Sequence, residues 1–193
     1  MPLRIEESDY VTTAVINRPN AMNAVNFELM DRLEELVDKL SKSDTTRLFI
    51  LTGSNNSFIS GGDLREFHQI ETAAEARDMT NRMLRLLDQI RNLPLWTMAA
   101  MNGATYGGGW EIAAAFDFRI AKKGINIGFT QGKFYLPPGW GGIASLKRLI
   151  PKQKALYWLA SQRVVSAESA HQAGFVDDLI EEKEYDDSLT AII

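Results

Sequence analysis

Three consecutive glycines, Gly107-Gly108-Gly109, stand between an apolar run and a carboxylate, and they constrain this chain more than any other feature. The run before them is Leu95-Trp96-Thr97-Met98-Ala99-Ala100-Met101, which reads as a buried strand. After Trp110 and Glu111, the alanine-rich stretch Ile112 to Phe116 reads as a helix. A strand that turns into a helix through glycine leaves main-chain N–H groups uncovered by Cβ atoms. The first turn of a helix has unpaired N–H groups and a partial positive charge. Such a turn is suited to hold an oxygen on which negative charge develops. Glu111 adds a group able to take up or give a proton. The plain alternative, a tight turn that packs a helix on a strand, stays open on this motif alone.

A second glycine loop, Phe58-Ile59-Ser60-Gly61-Gly62-Asp63-Leu64, follows the apolar run Leu48 to Thr52 and a polar stretch at 54–57. Gly61-Gly62 again bares main-chain amides, and Asp63 has the chemistry to cap a short helix. Taken by itself, an ordinary N-capped loop is the simpler reading.

The rest of the pattern alternates. Val11 to Ile16 is a β-branched strand. Between Asn26 and Lys42, the residues Leu29, Leu33, Leu36, Val37 and Leu40 recur at helical spacing. A long helix is expected from Thr72 to Asn92, with a capping box at Thr72 and Glu75 and an inner face of Ala76, Met79, Met83, Leu87 and Ile90. A strand follows at 117–121, helices near 141–149, 151–161 and 166–172, and a strand near 174–180. Strands alternating with helices indicate an α/β fold with a largely parallel sheet covered by helices. A single domain over 1–193 is expected, with its core at about 11–180 and a short acidic, solvated tail at 181–193.

Composition removes several classes. With 21 basic and 25 acidic residues and no basic run, nucleic acid is not an expected partner. No run is long enough to span a bilayer and the start is no signal peptide, so a cytoplasmic protein without a membrane partner is expected. There is no cysteine and there are only two histidines, so no metal site is expected. The glycine run does not extend to Gly-x-Gly-x-x-Gly, which argues against a dinucleotide fold. A serine nucleophile at Ser60 assisted by His68 lacks a Gly-x-Ser-x-Gly elbow.

Taken together, five ordered motifs resemble the crotonase, or enoyl-CoA hydratase/isomerase, family. They are Asn17 to Ala24, Phe58 to Leu64, Asn102 to Glu111, Asp117 to Ala121 and Pro138-Gly139-Trp140-Gly141-Gly142. The resemblance implies a crotonase-like β/α spiral core that acts on an acyl-CoA thioester. No cofactor is implied, since coenzyme A is part of the substrate. It implies an oxyanion hole made by the amides of Gly62 and Gly108, with Glu111 as the acid–base. It places Asn20, Ala21 and Met22, with Asp63, Leu64 and Arg65, along the CoA path; Arg18 and Arg65 are read as surface arginines rather than phosphate ligands. Trp110, Pro138 and Trp140 are expected at the acyl site, and Phe134 and Tyr135 either there or in core or interface.

Where two-glutamate hydratases of the family carry their second carboxylate, counting back from Pro138 arrives at Gln131. An amide orients water but cannot take its proton at neutral pH. The expected activity is a hydratase-like lyase in which Glu111 does the proton work alone. The alternatives are a methylmalonyl- or ethylmalonyl-CoA-type decarboxylase using Glu111 alone, and a non-catalytic acyl-CoA- or protein-binding homologue. The resemblance also implies a homotrimer or dimer of trimers. A C-terminal helical segment that is short or missing here bears on that assembly.

Overall fold

The computed structural model describes residues 1–181; the tail beyond Glu181, expected to be solvated, lies outside them. The chain winds as a spiral. Each coil lays one strand in a six-stranded sheet and the next, shorter strand in a four-stranded sheet. The pairs are β3 (Leu48–Gly53) with β4 (Ser57–Ile59), β5 (Trp96–Met101) with β6 (Ala104–Tyr106), and β7 (Phe118–Lys122) with β8 (Asn126–Gly128). The large sheet is completed by β1 (Leu3–Ser8), β2 (Val11–Ile16) and β10 (Asp178–Ile180), in the order β1-β2-β3-β5-β7-β10. It is parallel except for the β1–β2 hairpin. The small sheet runs β4-β6-β8-β9, with β9 (Val164–Ser166) antiparallel at its edge.

The helices are α1 (Phe27–Ser41), α2 (Leu64–Phe67), α3 (Ala73–Arg91), α4 (Gly108–Ala113), α5 (Gly142–Leu149), α6 (Lys152–Ala160) and α7 (Ala167–Gln172). The large sheet is apolar on both faces, which is why its strands read as continuous apolar runs. Phe49, Leu51, Ala99, Met101 and Ala121 face the main core with α1 and α3. Val11, Ile50, Met98, Ala100, Ile120 and Ile180 form a separate cluster on the opposite face.

Local chemistry sets the helix ends. The Leu29 amide donates to the Asn26 side chain at the start of α1. The capping box of Thr72 and Glu75 opens α3 as the spacing foretells. Within α3, Met83, Leu86, Leu87 and Ile90 are buried, whereas Ala76 and Met79 are only partly so, Met79 resting on the rim of the core.

Two expectations change. The helix after the glycines starts and ends earlier than the alanine run suggests: it begins at Gly108 and ends at Ala113. The amides of Ala115 and Phe116 then donate to Ile112 and Ala113, a tighter turn that releases the chain into β7. The second sheet is absent from the sequence reading, because its strands have three residues each, too few to show an alternation. Among the described residues, no helix is long and apolar enough to cross a membrane, and no acidic or histidine cluster could hold a metal ion.

Candidate active site

The two glycine turns, one after β4 and one after β6, meet in space. β4 and β6 pair in parallel, so their following turns leave the small sheet side by side. Gly107 takes φ 52° and ψ −124°, and Gly61 takes φ 118°; both conformations are open to glycine and strained for other residues. A Cβ built on Gly61 would lie 3.4 Å from the Gly108 nitrogen. Gly109 packs so closely on β4 that a Cβ there would lie 2.1 Å from the Ile59 carbonyl oxygen.

Among the described residues, the amides of Gly62 and Gly108 make no hydrogen bond. Each of these glycines is backed by a ring. A Cβ on Gly62 would meet the Phe67 ring at 2.4 Å, and one on Gly108 would meet the Trp140 ring at 2.1 Å. Two unpartnered donors on touching turns are a fitting place for an oxyanion.

Glu111 lies in the first turn of α4 and is 2 % exposed. Its Oε2 accepts from the Trp140 amide at 2.9 Å and from the Gly142 amide at 2.8 Å. Its Oε1 accepts from Gln131 Nε2 at 3.0 Å. Gln131, at the start of a 3₁₀ turn over Gln131–Phe134, therefore faces Glu111. The Gln131 carbonyl oxygen in turn accepts from the Trp110 indole N–H at 3.1 Å. Burial pushes the Glu111 carboxyl above its ordinary value, and the N–H groups of Gly142, Trp140, Gln131 and Gly139 only partly offset that push. The result is a buried carboxyl held in place by N–H donors, with the chemistry to exchange a proton.

The turn at 17–24 is fastened to the first glycine loop. The Ser60 amide donates to Met22 O at 3.2 Å, Val25 N to Gly61 O at 2.8 Å and Asp63 N to Val25 O at 2.8 Å. Asn20 and Met22 are exposed, Ala21 is half-buried, and Leu64 and Arg65 are exposed on α2. Asp63 itself braces the loop, accepting from Arg18 at 2.8 Å and from the Arg65 amide at 3.2 Å. Burial works against its charge, but the Arg18 hydrogen bond, the Arg65 amide and the two nearby guanidiniums outweigh it and hold its carboxyl below the ordinary value. Arg18 is thereby committed to Asp63 and the Ala24 carbonyl.

Two residues expected at the acyl site sit behind it. Trp110 is fully buried and stacks on Phe129 with ring centroids 4.9 Å apart, so it supports Gln131 instead of lining a surface. Trp140 is 6 % exposed and roofs Gly108. Pro138 is half-buried, whereas Phe134 and Tyr135 point outward, at 60 % and 97 % exposure. The Ser60 hydroxyl donates to Ala21 O at 3.3 Å and His68 is exposed at the end of α2, so no serine–histidine pair forms among the described residues.

Sequence reasoning overlooked Asn23. Fully buried, it accepts from the Arg18 amide at 2.9 Å and donates to Ser54 O at 3.0 Å and Ser57 O at 2.7 Å. It ties the turn at 17–24 to the loop before β4. In the structure Met22 and Asn23 are successive left-handed residues, a conformation in which asparagine is enriched and which the sequence does not announce.

Comparison with known proteins bears on the family and the fold. A family model described as enoyl-CoA hydratase/isomerase matches residues 6–192. An ethylmalonyl-CoA decarboxylase of Xenopus laevis is 33% identical over 175 residues, which is 91% of this chain and 58% of its own length. A crotonyl-CoA hydratase of Syntrophomonas wolfei is 32% identical over 184 residues, 93% of this chain and 69% of its own. A solved enoyl-CoA hydratase from Bacillus anthracis superposes with a TM-score of 0.94 at 27% identity, covering 100% of this chain and 75% of that one. The chain thus spans less than two thirds of the length of the decarboxylase it resembles.

Proposed function

The chain belongs to the enoyl-CoA hydratase/isomerase, or crotonase, family, and we propose that it processes an acyl-CoA thioester through an enolate, by decarboxylation of a malonyl-type substrate. The amides of Gly62 and Gly108 take the thioester oxygen. The bond from the α-carbon to the substrate carboxylate breaks, CO₂ leaves, and the electron pair passes into the thioester as its enolate. Glu111, in its protonated form, then gives its proton to the α-carbon. The mechanism needs one acid and no base.

One observation carries this reading: the buried carboxylate faces an amide that offers it N–H and whose carbonyl oxygen is already occupied by Trp110. Hydration asks the group at 131 to help take a proton from water, and a carboxamide cannot accept it. Decarboxylation asks nothing of that group beyond orientation. The decarboxylase relative at 33% identity supports the same choice. A hydratase is the second reading, supported by the crotonyl-CoA hydratase relative and by a Glu111 able to take a proton from water and return it to carbon.

The test is to incubate the protein with methylmalonyl-CoA, ethylmalonyl-CoA and crotonyl-CoA in separate reactions. CO₂ release with conversion to the saturated thioester is expected from one of the first two. Hydration of crotonyl-CoA without any CO₂ release would reverse the order of the readings, and binding without turnover of all three would make the protein a non-catalytic member.

A further inference from the structure

We propose that Trp110 is a positioning residue: its indole N–H locks the Gln131 carboxamide so that the amide N–H, and not the amide oxygen, faces Glu111 during proton exchange. An indole N–H can only donate. Its bond to Gln131 at 3.1 Å therefore decides that the amide oxygen faces Trp110 and the amide nitrogen faces Glu111. Turning the amide over would set donor against donor at one end and acceptor against carboxylate at the other.

The indole itself cannot turn. It is fully buried, stacks on Phe129 at 4.9 Å, and Gly142 lies so close that a Cβ there would reach 2.4 Å from the ring. An ionised carboxylate offers about four lone-pair positions. On Glu111, both positions of Oε2 serve the Trp140 and Gly142 amides, and one of Oε1 serves Gln131. The Gly139 amide also acts on this carboxyl, so main-chain N–H groups and the Gln131 amide together fix its orientation. No charged side chain among the described residues faces Glu111; main-chain amides, the Gln131 amide and the Trp110 and Trp140 rings surround it. The indole at 110 thus makes the amide at 131 act as a fixed donor. The chemical consequence is that protonation of the α-carbon comes from one direction.

The inference rests on the reading that Glu111 exchanges a proton with substrate, so its test has one arm that needs no substrate. In protein carrying ¹³C-labelled glutamate, the Glu111 carboxyl is titrated in wild type, W110F, Q131A and W110F/Q131A. Freed from Trp110, the amide can turn its oxygen to a protonated Glu111, so W110F is expected to move the titration upward. On the Q131A background the same substitution is expected to add nothing. A W110F titration equal to wild type, or an equal displacement on both backgrounds, overturns the proposal; a merely structural tryptophan gives one of these.

The second arm is turnover of methylmalonyl-CoA in D₂O. Wild type is expected to place deuterium on one face of the α-carbon, and W110F to scramble it with a kcat lower by about three- to tenfold, the worth of one neutral hydrogen bond. Retained stereochemistry in W110F counts against the lock. If W110F does not fold, the folded Q131A protein decides: one tryptophan indole N–H resonance must shift and lose its protection from exchange relative to wild type, and an unchanged set of indole signals overturns the proposal. Absence of turnover with every thioester sinks the functional reading and leaves the titration to judge Trp110.

Discussion

At Gly62 and Gly108 hydrogen is the only side chain that fits, because an aromatic ring already fills the space a Cβ would take. Gly108→Ala is expected to push Trp140 aside and drag its amide, which holds Glu111, with it. The loss of one oxyanion donor alone corresponds to about 100- to 1000-fold in kcat, measured as CO₂ release at saturating substrate. Glu111→Gln removes the proton donor and is expected to lower kcat by roughly 100- to 10,000-fold. The same variant reports on stability. A carboxyl whose folded value is raised by burial stabilises the fold fully below its unfolded value and loses that contribution as pH rises through the folded one. The melting temperature of E111Q relative to wild type is therefore expected to climb as pH rises through that window; a constant difference would contradict it. These residues were legible because glycine runs and their carboxylate are contiguous in the chain. Counting along a loop reached the position of Gln131 but left open whether it faces Glu111, which the structure shows. The role of Trp110 was hidden, since nothing in a sequence says which way an indole N–H points.

Elements with strong local signals matched their forecast: β2 runs over Val11–Ile16 and α1 over Phe27–Ser41, with Asn26 as its cap. In α3 the capping box satisfies amides that would otherwise be unpaired. Thr72→Ala is expected to cost about 1 kcal/mol and to lower the melting temperature by roughly 2–4 °C, with activity little changed. Asn23→Ala is a sharper case. It strands the buried carbonyl of Ser57 and frees the turn at 17–24, so about 2–4 kcal/mol of stability and a rise in KM for the CoA substrate are expected from thermal melts and steady-state kinetics. The three-residue strands of the small sheet stayed illegible for the opposite reason: they are strands only because neighbouring coils supply their partners. The helix at Gly108 was misjudged at its boundary because close packing on Ile59, not helix propensity, sets where it starts.

On the scale of the whole molecule, the exposed apolar side chains are grouped. Phe134, Tyr135 and Leu136 follow Gln131 after Gly132 and Lys133, at 60 %, 97 % and 52 % exposure. Trp96 and Phe118, with rings 5.6 Å apart, stand with Tyr10 at the rim of the large sheet. We expect the homotrimer or dimer of trimers implied by family membership to shield the first group. Y135S/L136S is then expected to lower the assembly's mass in solution as measured by light scattering, and an unchanged mass would remove that role. The spiral has a further effect. The turn bearing Gly62 and the turn bearing Gly108 belong to successive coils, and Glu111 is gripped by a loop from the coil after those. Loosening any one coil is expected to silence the proposed chemistry before the helical signal fades, so turnover would then be a more sensitive gauge of the winding than circular dichroism.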